Sequence, residues 1–246
     1  MTQETMQRDP VAVFGLGGIG YVIASQLVRC GDRVVSLDDD MARRNRADRL
    51  GVTLVGGKEK LEDPRFLRRH DLIVGIGDNE IREKFCLIAV SHGARLSTFI
   101  HPDASVDSGI SLGEGLIIMA NASISSSAVI GTGTIVNICS KVPHDVVVGR
   151  FSNLCDGSSF GGGVVIGDRV LIGMNAVVLP KLRIGDDALI GPGTVVTRDV
   201  PAGAVVVGNP GRIIRMKEAN GRDYSGGSAA FPETKGGVVV PIGQGS

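Results

Sequence analysis

The chain has 246 residues, in which 26 Lys and Arg balance 26 Asp and Glu, with 36 Gly, four Cys, two Tyr, seven Phe and no Trp. A neutral chain carries no global basic field for a polyphosphate, and so few rings give no stacking platform, so no nucleic acid partner is expected. Glycine at about twice its usual share needs an architectural reason.

Residues 1–10 are polar, without the apolar core of a signal peptide, and no 18-residue apolar run follows. A cytoplasmic protein without membrane insertion is expected. The four cysteines, Cys30, Cys86, Cys139 and Cys155, show no paired-ligand spacing and read as reduced thiols. The apolar run at 11–14 predicts a buried strand, followed at once by the glycine-rich turn GLGGIG at 15–20. A helix over 21–29 and a strand over 33–37 come next, ending in Asp38, Asp39 and Asp40. Glycine turn, helix N-terminus and an acidic residue some twenty positions on match a dinucleotide fingerprint, in which backbone N–H groups receive a pyrophosphate. The plainer alternative is a tight turn that needs glycine only for packing. Residues 72–79 read as another strand with its loop, and 81–91 as a helix. About ninety residues suffice for one half of a Rossmann fold, which suits a mononucleotide or nucleotide sugar better than NAD.

From Ile100 to Val196 every sixth residue is apolar, seventeen positions in an unbroken register. Eight of the residues that follow them are Gly, from Gly113 to Gly191, and the fourth residue after each is small or aliphatic, as at Ala122, Ser140 and Ala176. A six-residue beat fits neither a helix nor a long alternating strand. It fits a parallel β-helix of hexapeptides, three to a coil, with glycine at the corners supplying unusual backbone angles. The beat fails at Pro201, a short basic helix or turn is expected over 211–218, and the Gly- and Ser-rich segment 218–246 reads as a flexible tail. The expected organisation is thus an α/β half-Rossmann domain at 1–98, a β-helix at 99–217 and the tail.

Residues 18 apart stack on neighbouring coils, about 4.8 Å apart. His144 therefore stacks with Ser126 and Gly162, and a backbone N–H in the Gly161–Gly163 run becomes a candidate oxyanion donor. Of the four histidines only His144 has a carboxylate, Asp145, beside it within the repeat. That pair suits a general base, whereas His70 and His92 read as surface residues and His101 as structural. Met174, Pro192 and Asp156 share a second edge, and Asn153 lies half a coil from His144. One chain cannot easily gather both edges around one ligand, so the register itself suggests a site between subunits. Cys139 and Cys155 invite a covalent mechanism but read as small packing residues. The repeat holds only His101 and His144, too few for a zinc site, so no metal is expected.

The motifs GLGGIG at 15–20, LDDD at 37–40, GIGDNEIR at 75–82, IHP at 100–102, PHD at 143–145 and GNPG at 208–211 occur together. In this the chain resembles the hexapeptide-repeat sugar acyltransferases of the sialic acid O-acetyltransferase and UDP-amino-sugar N-acetyltransferase type. The resemblance covers about 11–216. It implies a left-handed β-helix, a homotrimer, and acetyl-CoA as co-substrate with a nucleotide-linked amino sugar as acceptor. Matched position by position, it implies that Gly17, Gly18, Ile19, Asp38, Asp39 and Gly77 line the sugar pocket. It makes His144 the base, held by Asp145, and places acetyl-CoA against Asn153, Met174 and Pro192, to which the register adds Gly162. Three positions depart from the family pattern: Ile19 and Asn153 stand where His is frequent, and Pro143 where an acidic residue is common. N-acetylation of a nucleotide amino sugar is the leading expectation, ahead of sugar O-acetylation and of a non-catalytic, nucleotide-responsive scaffold.

Overall fold

The computed structural model describes residues 9–217 together with Val239 and Val240. Its N-terminal domain is a five-stranded parallel sheet in the order β3-β2-β1-β4-β5. The strands are β1 (Val11–Phe14), β2 (Val34–Leu37), β3 (Thr53–Leu54), β4 (Asp71–Val74) and β5 (Arg95–Leu96). All four residues of β1 are buried, as a central strand between two parallel neighbours requires. Helix α1 (Gly18–Arg29) turns Gly20, Ile23, Ala24 and Leu27 inward, one apolar stripe of a 3.6-residue period. Two short helices, α2 (Arg44–Arg49) and α3 (Pro64–Leu67), precede β4. Helix α4 (Asn79–Ser91) starts at Asp78, whose carboxylate accepts the Ile81 N–H at 2.9 Å. The strand order reverses between β1 and β4, so their carboxyl ends open a crevice there. Gly20 and Gly75 let the walls of that crevice meet, since a Cβ on Gly75 would fall 2.5 Å from the Gly20 Cα.

At β6 (Thr98–Ile100) the chain enters a left-handed parallel β-helix of three sheets. Two-residue strands pair at 18-residue intervals, as in Ser123↔Lys141, Val129↔Val147 and Ile135↔Asn153. Every sixth residue from Ile118 to Val196 is buried in one continuous core with Ala122, Ala128, Val146, Val164 and Ala176, as the sequence pattern requires. Each fully buried aliphatic side chain stabilises by about 1.5–3 kcal/mol relative to exposure.

The role expected of the corner glycines is corrected. Left-handed backbone recurs at every sixth residue from Gly109 to Gly193, three positions after the apolar anchors, and nine of these residues are not glycine. Asn121, Asp145, Arg169 and Asp187 are among them, with φ of 57°, 61°, 54° and 58°. Glycines directly after the anchors serve close stacking instead. A Cβ on Gly131 would lie 2.6 Å from the Gly149 carbonyl carbon, and one on Gly173 would lie 2.6 Å from the Pro192 nitrogen.

The last coil is shorter, Ile190 pairing with Val206 sixteen residues on. Residues 212–216 then form a strand (Arg212–Met216), antiparallel to Ala204–Val207, where a helix or turn was expected. The Asn209–Pro210 peptide between them is cis. Of the expected tail, Val239 and Val240 pair in parallel with β6, and its other residues lie outside those described. Among the described residues no helix is long and apolar enough to cross a membrane.

The two domains share a core. Phe99, Ile117, Met119 and Ile135, on the β6 face of the β-helix, pack with Val11, Leu16, Ile23 and Leu27. That face is covered by the N-terminal domain, and the other two sheets point away from it.

Candidate active site

The crevice at the carboxyl ends of β1 and β4 is a cavity of about 400 Å³. Gly17, Gly18, Ile19, Asp38, Asp39 and Gly77 all line it, with Arg43, Ile76 and Phe85. Gly17 caps α1 with no side-chain acceptor and no acidic residue follows in the first turn, which leaves backbone N–H groups at the wall. Asp38 is committed elsewhere: its Oδ2 accepts from Leu16 N at 2.6 Å and Arg43 Nη1 at 3.0 Å, and its Oδ1 accepts from Asp40 N at 2.9 Å. It builds the loop. Asp39 is exposed and accepts Lys58 N at 2.7 Å through Oδ1 only.

His144 sits on the turn between strands Lys141–Val142 and Val147–Val148, the corner joining the two sheets that face away from the N-terminal domain. Its imidazole is exposed, and Nδ1 lies 2.9 Å from Asp145 Oδ2. With the Nδ1 proton held by that carboxylate, Nε2 is the basic nitrogen. The coil register places Gly162 beside the ring, as expected. In the glycine run, Gly161 N donates to Val178 O at 2.8 Å and Gly163 N to His144 O at 3.2 Å. The Gly162 N–H has no acceptor among the described residues. It is a free donor beside the imidazole.

Met174 and Pro192 are exposed on the next corner, one coil apart, with Gly193 N donating to Met174 O at 2.8 Å. Asn153 is not with them. Asn153 is 6% exposed on the covered face, and its Nδ2 donates to Gly77 O at 3.1 Å across the domain seam. Burial pushes the Cys155 thiol up to about 11 and that of Cys86 to about 12, so neither supplies a thiolate near neutral pH. His101 lies against Asp103 at the first coil, and His70 and His92 bond to carbonyls of the helices that precede them. Among the described residues no group of three or more His, Cys, Asp or Glu could hold a metal ion.

Residues 10–87 match the model of the PglD N-terminal domain, and residues 163–198 match that of the bacterial transferase hexapeptide (six repeats). A histidine-to-asparagine variant of perosamine N-acetyltransferase from Caulobacter crescentus, solved with CoA and GDP-perosamine, is 36% identical. The match covers 83% of this chain and 96% of that one, with a TM-score of 0.77. This chain belongs to the hexapeptide-repeat sugar acyltransferases. A second member, the acetyltransferase domain of PglB from Neisseria gonorrhoeae in complex with acetyl coenzyme A, is 29% identical over 84% of this chain and 100% of that one, with a TM-score of 0.75. Membership in this acyltransferase family removes the non-catalytic scaffold from consideration.

Two residues of this acyltransferase escaped the sequence reading. Arg43, on the short turn Met41–Arg43, lines the cavity and pairs with Asp38 and Asp40; a basic run directly after the acidic run was the available signal. Arg82, in the first turn of α4, is wholly buried, and burial pushes its guanidinium down to about 10, still charged at neutral pH. Three of its acceptors, Gly133 O, Phe151 O and Ser152 O, come from distant coils, so no local pattern announces the bridge.

Proposed function

We propose that this acyltransferase moves the acetyl group of acetyl-CoA directly onto the amino group of a nucleotide-linked amino-deoxy sugar. The observation that carries this reading is the His144 imidazole, bonded to Asp145 at Nδ1 and lying beside the free Gly162 N–H. A thioester is already activated. Transfer then needs a base for the nucleophile's proton and a donor for the oxyanion, and these two groups are of the right kind. His144 Nε2 takes the proton of the attacking amine, and Asp145 steadies the imidazolium. Gly162 N–H receives the oxyanion, and the proton then leaves with the CoA thiolate. High thiol pKa values at Cys86 and Cys155 favour direct transfer over an acyl-enzyme. The nucleotide part occupies the cavity over Gly17, Gly18 and Ile19, with Asp39 and Gly77 at its rim, and acetyl-CoA runs past Met174 and Pro192. Neighbours solved with CoA, acetyl coenzyme A and GDP-perosamine support both ligand classes.

His144 stands on the corner away from the sheet that bears the N-terminal domain, so a chain's own sugar cavity lies across the β-helix from its own base. A homotrimer, in which one subunit's His144 meets a groove and pocket completed by another, reconciles the two. CoA release from acetyl-CoA over a panel of nucleotide amino sugars, for the parent and His144→Ala, is the direct test. A loss of about 10²-fold or more is expected for His144→Ala. Unchanged turnover in the variant removes the assignment of the base, and acetylation of hydroxyl acceptors alone overturns the choice of an amine.

A further inference from the structure

The carbonyl of Gly77, at the wall of the cavity, is held from two sides. Arg82 Nη1 donates to it at 3.2 Å from α4, and Asn153 Nδ2 donates at 3.1 Å from the β-helix. The rest of the Arg82 guanidinium spans the same seam. Nη1 also reaches Ile76 O at 2.9 Å and Asp78 O at 3.3 Å, on the cavity loop. Nε reaches Gly133 O at 2.7 Å, and Nη2 reaches Phe151 O at 2.8 Å and Ser152 O at 3.2 Å, on two successive coils of the β-helix wall. Asn79, whose Oδ1 accepts from Arg82 Nη2 at 2.9 Å, extends the bridge to Arg169 O and Val170 O on the next coil.

Every acceptor of this buried cation is a neutral oxygen. Burial of the charge outweighs the favourable fields of the nearby Asp78 and Glu83 carboxylates, neither of which bonds to it, and an apolar side chain would close the seam at less expense. What a planar fork of five donors supplies, and an apolar group does not, is a fixed geometry between the surfaces it joins.

We infer that Arg82 and Asn153 are positioning residues for acetyl transfer, which pin the Gly77 carbonyl and so fix the sugar cavity in register with the coils that hold the thioester. The inference rests on the acetyl-transfer reading above. Amine and thioester carbon must come within about 3–3.5 Å, and a misplacement of about 1 Å can cost 10²-fold in rate. A cavity hinged loosely on the β-helix would bind its sugar and present it badly.

Asn153→Ala and Arg82→Lys separate this role from a purely structural one. For each, kcat, both KM values, the calorimetric Kd for the nucleotide sugar and Tm are measured on the full chain. Asn153→Ala removes the bond to Gly77 O and a weak one from Cys155 Sγ to Oδ1 at 3.8 Å, and kcat is expected to fall about 10-fold while Kd and Tm stay near those of the parent. Arg82→Lys, which keeps the charge and loses the fork, is expected to lower kcat further. A folded Asn153→Ala with parental kcat, or one whose sole change is a raised KM for acetyl-CoA, overturns the inference. Parent turnover with unimpaired variants sinks this inference alone, whereas a parent inactive on every nucleotide amino sugar sinks the functional reading and takes this one with it.

Discussion

The His144 imidazole lies so close to the Gly162 backbone that a Cβ there would fall 2.6 Å from its Cε1 and 2.8 Å from its Nε2. Gly162 has no left-handed backbone to defend, so alanine strains nothing but the ring beside it. Gly162→Ala is therefore expected to fold with a Tm near that of the parent while kcat falls about 10²-fold through a displaced base. Gly161→Ala makes the contrast: its Cβ would run into the Pro180 backbone, which cannot swing aside, so the loss appears as a lowered Tm. Thermal unfolding and steady-state kinetics on the two variants check the separation.

Asp145 holds His144 from a left-handed conformation, φ 61°, which an L-residue adopts at a cost of about 1 kcal/mol. Asp145→Gly relieves the backbone and discards the carboxylate. The expected outcome is a Tm equal to or about 2–4 °C above that of the parent, with kcat lower by about 10-fold or more. Calorimetry and CoA release report the two effects independently.

Asp38 and Asp39 are neighbours with different tasks. Asp38 is buried and ties together Leu16, Asp40 and Arg43, so Asp38→Ala is expected to cost roughly 2–4 kcal/mol of stability. Asp39→Ala is expected to leave Tm close to that of the parent and to raise KM for the nucleotide sugar. Denaturant titration of one and saturation kinetics of the other distinguish scaffold from ligand contact.

At pH 8 a thiol raised to about 11 is ionised in roughly one molecule per thousand, and the fraction grows as pH rises toward that value. Cys155 should accordingly resist iodoacetamide at pH 8, while exposed Cys139 reacts first. Cys155→Ala should retain turnover, with no burst of CoA release in the parent. A stoichiometric burst abolished by that substitution would defeat direct transfer.

The β-helix was legible because its physics is local and periodic. An inward aliphatic every six residues fixed the register, and the register alone set Gly162 beside His144 and Met174 beside Pro192. What periodicity conceals is which neighbour a residue meets in space. The post-anchor glycines were assigned to backbone freedom, yet the left-handed positions lie two residues later and mostly carry side chains, while the glycines admit the next coil. Asn153 was matched to acetyl-CoA through the resemblance, and no letter of the sequence announces its bond to Gly77 O across the domain seam. Arg82 was visible only as one charged letter of a motif, since its acceptors at Gly133 and Phe151 lie 51 and 69 residues away.

A stack of identical rungs has no intrinsic end, because each rung offers its free amides and carbonyls as a template for another. Here the sixteen-residue final turn breaks the repeat distance, and the antiparallel hairpin Ala204–Val207 with Arg212–Met216 crosses the exposed rim. All five residues of the outer strand are solvent-facing, two of them arginine. The same hairpin that finishes the solenoid thus acts as a stopper against end-to-end polymerisation, and keeps a fold built like a fibre segment to a finite, discrete particle.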